Sequence, residues 1–209
     1  LPTLAPDLFC CNDCLAELAD PAARRHRYPF INCTQCGPRY TIIDDLPYDR
    51  ARTAMAGFTL CAACAREYGD AGDRRFHAEP LACPECGPRL WLVADGETAA
   101  RDGAALGRAI ELIRGGGIVA VRGVGGYHLL CDALDDGAVG RLRSRKGRPD
   151  KPLAVLFPWR GRDGLDAVAE HLVPDPAEAG ALVDPVRPIV LCRRRADSGL
   201  AAGIAPGLE

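Results

Sequence analysis

The sequence predicts a mixed α/β (α+β) chain in which two small zinc-stapled modules precede a region of helices and strands. Two observations support this fold class. The stretch "INCTQCGPRY" at 31–40 returns as "LACPECGPRL" at 81–90, and amphipathic helices alternate with apolar strands beyond residue 105. The chain has 209 residues, 48% of them hydrophobic, which suits one or two globular domains.

Cysteines carry the repeat. Each half contains two Cys-x2-Cys pairs separated by 18 residues, and the second half follows with a period of 50 residues. The first quartet is Cys11, Cys14, Cys33 and Cys36, and the second is Cys61, Cys64, Cys83 and Cys86. Two intervening residues let one tight turn direct both sulfurs at one ion, which is typical of structural zinc sites. Because four cysteines complete a tetrahedron, we expect two Zn2+ ions that hold the fold and perform no chemistry.

Residues beside the cysteines support this interpretation. Gly37 and Gly87 follow the second pair of each quartet, where the backbone must turn sharply. Cys10 could replace Cys11 as a ligand, since Cys10-x3-Cys14 also offers a pair, but the repeat aligns Cys11 with Cys61. Small buried apolar roles are expected for the two remaining cysteines, Cys131 and Cys192.

Disulfides are the alternative for a chain with eleven cysteines. They would suit a small secreted protein, but residues 1–13 lack the basic and apolar regions of a signal peptide. The sequence also has no apolar run long enough to span a membrane. We therefore expect a cytoplasmic protein that does not contact a membrane.

A pair of arginines repeats between the cysteine pairs of each half, and a histidine lies near each pair. His26 and His77 are expected to have surface or packing roles, because four cysteines already fill each tetrahedron. The pairs Arg24–Arg25 and Arg74–Arg75 are interpreted as a solvated face and not as a nucleic-acid patch, since the net charge is -2.

The domain division follows the repeat. Residues 1–94 are predicted to form the tandem finger region, with modules at about 8–45 and 58–94. The small, polar stretch 95–104 is expected to be a linker or a surface excursion, and residues 105–209 form the second domain.

Elements of the second domain are read from hydrophobic periodicity and caps. The pattern predicts a helix at 105–117 that glycines end, and a helix through 138–147 capped by Asp135 or Asp136. Another helix is predicted at 163–172, with Leu165, Val168, Ala169 and Leu172 facing inward. Buried strands are predicted at 118–122, 127–133, 152–157 and 187–194.

Two stretches of this domain could carry chemistry. The glycine-rich "RGVGGYHL", residues 122–129, could offer backbone amides to phosphate oxygens, or it could be only a turn. The stretch "RLRSRKGRPDKPLAVLF", residues 141–157, contains both lysines of the chain and four arginines within eleven residues. Such a cluster suits a polyphosphate, and a solvated basic helix face is the alternative.

Together these features resemble the HypF-type carbamoyltransferases of [NiFe]-hydrogenase maturation. The resemblance covers "PDLFCCNDCLAEL", "RYPFINCTQCGPRYTII", the doubled cysteine spacing, "GGYHLLCDA" and "LRSRKGRPDKPLAVL". It implies a YrdC-like twisted mixed sheet with helices after the fingers. It further implies that this domain uses ATP, with Mg2+, to activate carbamoyl phosphate as carbamoyl adenylate. The carbamoyl group would then pass to the partner HypE on the way to the cyanide ligands.

The resemblance also implies nucleotide-binding residues. Lys146 and Arg148 match the K-x-R pair of YrdC-like domains, and Lys151 matches the basic residue before the Pro-Leu strand. The family's loop lines its substrate pocket at the positions of Tyr127 and His128. Arg122 stands where the family often has lysine, which keeps the charge and changes the hydrogen-bond geometry. The resemblance assigns no catalytic residue.

The family typically adds an acylphosphatase-like domain before the fingers and a carbamoyl-transfer domain at the C-terminal end. The chain is therefore expected to be a fragment, with an incomplete YrdC-like pocket and no activity alone. Two alternatives stay open. One is a zinc module that binds nucleic acid or protein, which the net charge of -2 disfavours for nucleic acid. The other is a threonylcarbamoyl-AMP synthase, which the finger pair and the "GVGGYHL" loop disfavour.

Overall fold

The computed structural model of the chain describes residues 5–123 and 125–208. It divides into two compact units between Ala105 and Leu106, here called the finger unit and the second unit. Helices and short strands occur together, so the predicted α/β class is confirmed. Within the described residues the strands pair as three separate two-stranded antiparallel sheets instead of one mixed sheet.

The finger unit repeats one short helix. Helix α1 spans Asn12–Ala19 and α2 spans Ala62–Gly69, so the two helices begin 50 residues apart, as the cysteines do. Between them the chain makes 3-10 turns at Tyr40–Ile42 and Arg50–Arg52. Each helix has only eight residues, and helices this short are marginal without tertiary contacts.

Three small clusters form the core of the finger unit. One contains Ile31 beside three cysteines, and a second contains Ala78 and Leu81 beside two cysteines. The central cluster draws on both repeats and on the connector between them, with Tyr28, Ile42, Met55 and Ala82. Because sulfurs replace large apolar side chains in the outer clusters, this core is too small to hold the unit by hydrophobic burial alone.

Residues 95–104, predicted to be a linker or a surface excursion, form an exposed hairpin turn, a strand and the start of a helix. Strand β1 (Trp91–Ala94) pairs with β2 (Glu97–Arg101), and helix α3 (Asp102–Arg114) follows directly. Asp95 and Gly96 both have positive φ, 51° and 83°, which is the geometry of a two-residue hairpin turn. The Asp-Gly pair was the sequence signal for this hairpin.

The first predicted strands of the second unit are present. Strand β3 (Val119–Gly123) pairs with β4 (Gly126–Leu130), so the stretch "RGVGGYHL" is a hairpin. Val124 of this loop lies outside the described residues. The strands are exposed except at Val119, and the prediction that they are buried is wrong for this chain.

The helix after this hairpin follows the sequence closely. Helix α4 spans Asp136–Lys146, and the Asp135 side chain caps it by accepting from the Ala138 N–H at 2.9 Å. Gly147 ends the helix in the left-handed conformation, with φ of 59°. This cap is a common helix end, and glycine adopts it without steric cost.

Farther along, the structure departs from the prediction. Residues 152–157 form no strand, and Leu153 makes one backbone hydrogen bond, to Ile204 at 2.9 Å. Of the predicted strand 187–194 only β6 (Arg193–Arg194) forms. Leu156 and Ile189 are 92% and 84% exposed, because no strand within the described residues covers these apolar stretches.

Two further elements complete the second unit. The predicted helix 163–172 shortens to α5 (Asp166–Ala169), which buries Ala167 and Val168 and exposes Ala169. Strand β5 (Leu172–Val173) follows it and pairs with β6. Helix α6 (Pro176–Val183) was not predicted, although Asp175 and Glu178 form a capping box whose Asp-Pro-x-Glu pattern indicates a helix start.

None of the helices in the described ranges, 5–123 and 125–208, is both long and apolar enough to cross a membrane.

Candidate metal centres and phosphate-binding loop

The two helices of the finger unit place the first cysteine pair of each repeat. Cys11 is the N-cap of α1 and Cys14 is its third residue, and Cys61 and Cys64 occupy the same positions on α2. Backbone N–H groups at a helix start carry partial positive charge, which favours thiolates. The Cys-x2-Cys spacing thus puts both sulfurs at one helix terminus.

Tight turns place the second pair. The Cys36 N–H donates to the Cys33 carbonyl at 3.4 Å, and the Cys86 N–H donates to the Cys83 carbonyl at 3.2 Å. The Gln35 N–H also donates to Cys33 Sγ at 3.4 Å, so a backbone amide supports that sulfur. Both pairs of each quartet are therefore held by local backbone geometry.

The two glycines after these turns have different reasons to be glycine. Gly37 has φ of 94°, the left-handed region that other residues rarely adopt, which agrees with the predicted sharp turn. Gly87 lies outside that region. A Cβ there would stand 2.3 Å from Tyr28 Oη and 2.4 Å from Ala82 Cβ, so glycine admits close packing by the first repeat.

The structure brings the predicted cysteines together as two quartets. In each, all four sulfurs lie within 4.8 Å of one another. The quartets are Cys11, Cys14, Cys33 and Cys36, and Cys61, Cys64, Cys83 and Cys86. Sγ–Sγ distances of 3.7 and 3.8 Å occur in both quartets and match the edge of about 3.8 Å that Zn–S bonds of about 2.3 Å give a tetrahedron. The quartets fit structural zinc.

Other candidate ligands stand outside the quartets. Cys10 packs against the first quartet while Cys11 completes it, as the repeat predicts. All eleven cysteines are free of disulfides, and the quartet sulfurs are far beyond the disulfide length of about 2.05 Å. His77 packs against Tyr68 and Phe76, with ring centroids 4.8 and 4.5 Å apart.

The arginine pair of the first repeat reaches the second quartet. Arg24 donates to Cys64 Sγ at 3.3 Å and to Glu67 at 2.7 Å, and its other contact is Cys61 Sγ at 3.9 Å. Arg25 donates to Cys64 Sγ at 3.4 Å and to Glu67 at 2.5 Å. Its Nε also donates to the Ala82 carbonyl at 2.7 Å.

The arginine pair of the second repeat makes the reciprocal contacts. Arg74 donates to Cys14 Sγ at 2.8 Å and forms a very short hydrogen bond to Glu17. Arg75 donates to Glu17 at 2.5 Å and to the Asn32 carbonyl at 3.0 Å. Each repeat therefore supplies guanidinium groups to the glutamate and a quartet sulfur of the other repeat.

These contacts keep both glutamates ionised. Burial raises the pKa of Glu67, but hydrogen bonds and charge from Arg25 and Arg24 outweigh it and lower that pKa to about 2. Glu17 is similar: burial raises its pKa, and Arg75 and Arg74 lower it below its usual value. Both carboxylates are therefore charged at neutral pH and complement the guanidinium groups.

The prediction that the arginine pairs form a solvated face is wrong for Arg25 and Arg75, whereas Arg24 is exposed and Arg74 is half-buried. Arg25 and Arg75 are 1% and 4% exposed, and their partners are buried or half-buried. A signal was present in the sequence, because Glu17 and Glu67 share the 50-residue period of the cysteines and of the arginine pairs. Nothing in the sequence indicated that the pairs cross between repeats.

The predicted nucleotide-binding residues lie in two places of the second unit. Arg122 and Tyr127 face each other across the β3–β4 hairpin, and His128 is one pair farther along, opposite Val121. The other group surrounds the end of α4, with Lys146, Arg148 and Lys151. All are exposed except the half-buried Arg148.

Arg143 was missed as a residue that shapes the loop after α4, which is residues 147–151. Its guanidinium donates to the carbonyls of Arg148 and Pro149 at 2.7 and 2.8 Å and to that of Lys151 at 3.1 Å. It is 9% exposed and also donates to the carbonyls of Gly203, by a short bond, and Ile204, at 3.1 Å. The buried Arg143 guanidinium thus donates to five carbonyls, three of which belong to the loop, and it fixes the loop backbone.

Each unit matches a known protein family. Residues 10–43 and 60–93 match the HypF finger family, and residues 111–209 match the Sua5/YciO/YrdC family, described as telomere recombination. Carbamoyltransferase HypF of Synechocystis sp. is 52% identical over 206 residues, which are 98% of this chain and 26% of that protein. The chain thus spans about a quarter of the length of the curated relatives it matches.

Two solved structures of HypF proteins are also similar to this chain. The crystal structure of HypF from T. kodakarensis is 44% identical with a TM-score of 0.91, over 98% of this chain and 26% of that one. A crystal structure of full-length HypF in the phosphate- and nucleotide-bound form is 45% identical with a TM-score of 0.81, over 97% and 26%.

Proposed function

Because this chain belongs to the HypF-type carbamoyltransferases, as a finger pair and a YrdC-like region, we propose that its full-length protein is an ATP-dependent carbamoyltransferase of [NiFe]-hydrogenase maturation. In this proposal carbamoyl phosphate is hydrolysed to carbamate and inorganic phosphate, and in the second unit, with Mg2+, the carbamate oxygen attacks the α-phosphorus of ATP to give carbamoyl adenylate and pyrophosphate. A further domain of the same protein then passes the carbamoyl group to a HypE-type partner. Two Zn2+ ions hold the finger unit.

The loop after α4 is the observation that carries the nucleotide part of the proposal. It carries Arg148 and Lys151 directly after Lys146, the last residue of α4, on a backbone that Arg143 holds through three carbonyls. Cations carried on a fixed backbone suit a polyphosphate, since binding then requires no ordering of the backbone. A relative of which this chain covers 26% was solved in a phosphate- and nucleotide-bound form, which supports nucleotide binding by the full-length protein.

The β3–β4 hairpin is proposed to contribute further substrate-binding residues. Arg122 and Tyr127 are cross-strand partners, so a cation and an aromatic ring stand side by side. His128 follows on the same strand. We assign the three residues to substrate binding, and the guanidinium of Arg122 provides the charge for which the family often uses lysine.

Loss of the Lys146 ammonium is expected to weaken ATP binding. In the full-length protein, Lys146→Ala should raise the Kd for ATP about tenfold or more, since hydrogen bonds to charged groups contribute about 1.5–3 kcal/mol. Isothermal titration calorimetry measures this. Arg145→Ala is the matched control, because it removes an exposed cation from the adjacent position of α4. Equal Kd values for Lys146→Ala and the unchanged protein would remove Lys146 from the site.

Arg143 is expected to act by positioning the loop. Arg143→Lys keeps the charge but offers three donors for five carbonyls, so the loop should lose its fixed backbone. We expect the KM for ATP to rise about tenfold while kcat at saturating ATP changes little. General destabilisation would instead lower the active fraction, and hence kcat, at an unchanged KM.

Pyrophosphate exchange into ATP tests the proposed function directly. The full-length protein is expected to exchange labelled pyrophosphate when carbamoyl phosphate is present, since adenylate formation releases pyrophosphate. Exchange that needs threonine and bicarbonate instead would identify a threonylcarbamoyl-AMP synthase. No exchange with either substrate set would favour a binding module. For such a module the finger arginines offer little to nucleic acid, because they contact Glu17, Glu67 and sulfurs.

A further inference from the structure

The segment that carries each arginine pair is anchored at both ends by its own quartet. In the first repeat, residues 20–32 connect α1, which bears Cys14, to Cys33. Successive turns close this segment, including bonds from the Arg27 N–H to the Leu18 carbonyl at 2.9 Å and from the Tyr28 N–H to the Arg25 carbonyl at 3.0 Å. A metal in the first quartet therefore fixes the path of Arg24 and Arg25.

The second repeat has the same construction. The His77 N–H donates to the Tyr68 carbonyl at 3.1 Å and the Ala78 N–H donates to the Arg75 carbonyl at 3.0 Å. The ends of this segment are α2, which bears Cys64, and Cys83. A metal in the second quartet therefore fixes Arg74 and Arg75.

The guanidinium groups act on the opposite quartet. Arg24 and Arg25 both donate to Cys64 Sγ, and Arg74 donates to Cys14 Sγ. Four thiolates around one Zn2+ leave roughly two negative charges in excess. Charge-assisted N–H donors to the sulfurs disperse that charge, and partners of this kind in the outer shell of a metal site commonly raise its affinity.

We propose that the two quartets load zinc cooperatively, because each repeat supplies through its arginine pair the outer-shell cations of the other repeat's site. Zinc in one quartet orders the arginines that support the second quartet. By thermodynamic linkage the effect is reciprocal and equal in both directions. We expect filling of either site to raise the affinity of the other about tenfold or more.

Native mass spectrometry of the 209-residue chain, reduced and titrated with zinc, counts the forms with no, one and two ions. Independent equal sites put about half of the chains in the one-zinc form at half saturation, and tenfold coupling lowers this fraction to about a quarter. A one-zinc fraction at or above half would overturn the proposal, since unequal independent sites raise it further.

The variant Arg24→Gln/Arg74→Gln tests whether the arginines carry the coupling. These two side chains are 33% and 30% exposed, so their replacement disturbs the core less than replacement of buried Arg25 or Arg75. We expect its one-zinc fraction to return toward half. Arg66→Gln, an exposed arginine of α2, is the control and should leave the fraction low. A low fraction in the double variant would overturn the arginine assignment.

A double-mutant cycle checks the crossed direction. Cys33→Ser/Cys36→Ser disables the first quartet, and zinc competition with a chelator then reports the affinity of the second. We expect that affinity to fall about tenfold. Adding Arg24→Gln to this variant should lower the zinc affinity of the second quartet little further, because the empty first quartet no longer holds Arg24 in place. A full additional loss from Arg24→Gln would show that Arg24 supports the second quartet independently of the first, contrary to the proposal.

Discussion

Removal of zinc by a strong chelator is expected to unfold the finger unit. Zinc binding contributes about 10–16 kcal/mol in finger peptides, whereas whole domains are stable by only about 5–15 kcal/mol. The finger unit has little else to hold it, since cysteines are half or more of the buried residues in two of its three core clusters. Its two α-helices, α1 and α2, have eight residues each and would not persist alone.

Trypsin gives a sharp measurement of this unfolding. Arg25 and Arg75 are buried in the folded unit, so the bonds that follow them should resist cleavage until the metal is removed. Exposed Arg162, in a bend of the second unit, serves as the internal reference for protease activity because it lies outside the finger unit. Zinc, but not Mg2+, should restore protection, because thiolate sites select soft ions. Protection of Arg25 and Arg75 in metal-free protein would contradict a structural role for zinc.

The number of zinc ions bound per chain can be measured on the same protein before chelation. About two zinc ions per chain should survive dialysis, one for each quartet. One ion or none would contradict the interpretation of the repeat, because the two quartets have the same sulfur spacing and the same helix-and-turn construction.

The sequence predicted local features of the sites and missed the contacts between repeats. Cys11 and Cys14 are close because both lie at the start of one helix, and a spacing of this kind can be recognised from the sequence alone. The contact of Arg24 with Cys64 joins residues 40 positions apart and depends on how the repeats pack. Periodicity showed that the arginines recur, but periodicity carries no information about which repeat they contact.

In the second unit, by contrast, strands were predicted that do not form. "PLAVLF" and "RPIVLCRR" have strand composition, but a strand also needs a partner, and none within the described residues pairs with 152–157. Caps were more reliable than apolar runs, because Asp135 and Gly147 act on their own helix. The same reasoning would have found α6 from Asp175 and Glu178.

Replacement of Arg25 by alanine is expected to cost the zinc-loaded finger unit about 3 kcal/mol of unfolding free energy. The guanidinium is 1% exposed and donates to Glu67, to Glu17, to Cys64 Sγ and to the Ala82 carbonyl. Its removal leaves two carboxylates short of a partner and one carbonyl without its donor. The estimate lies at the low end for buried ion pairs because both carboxylates keep about a fifth of their surface exposed.

Urea unfolding at saturating zinc measures this loss, and Arg66→Ala on α2 is the control for losing an exposed guanidinium. Arg25→Lys separates charge from geometry. Lysine restores the positive charge near Glu67 but cannot also reach the Ala82 carbonyl with a planar fork, so it should recover only part of the loss. If Arg25→Ala unfolded at the same urea concentration as Arg66→Ala, the ion pairs and hydrogen bonds of Arg25 would contribute nothing to the stability of the finger unit.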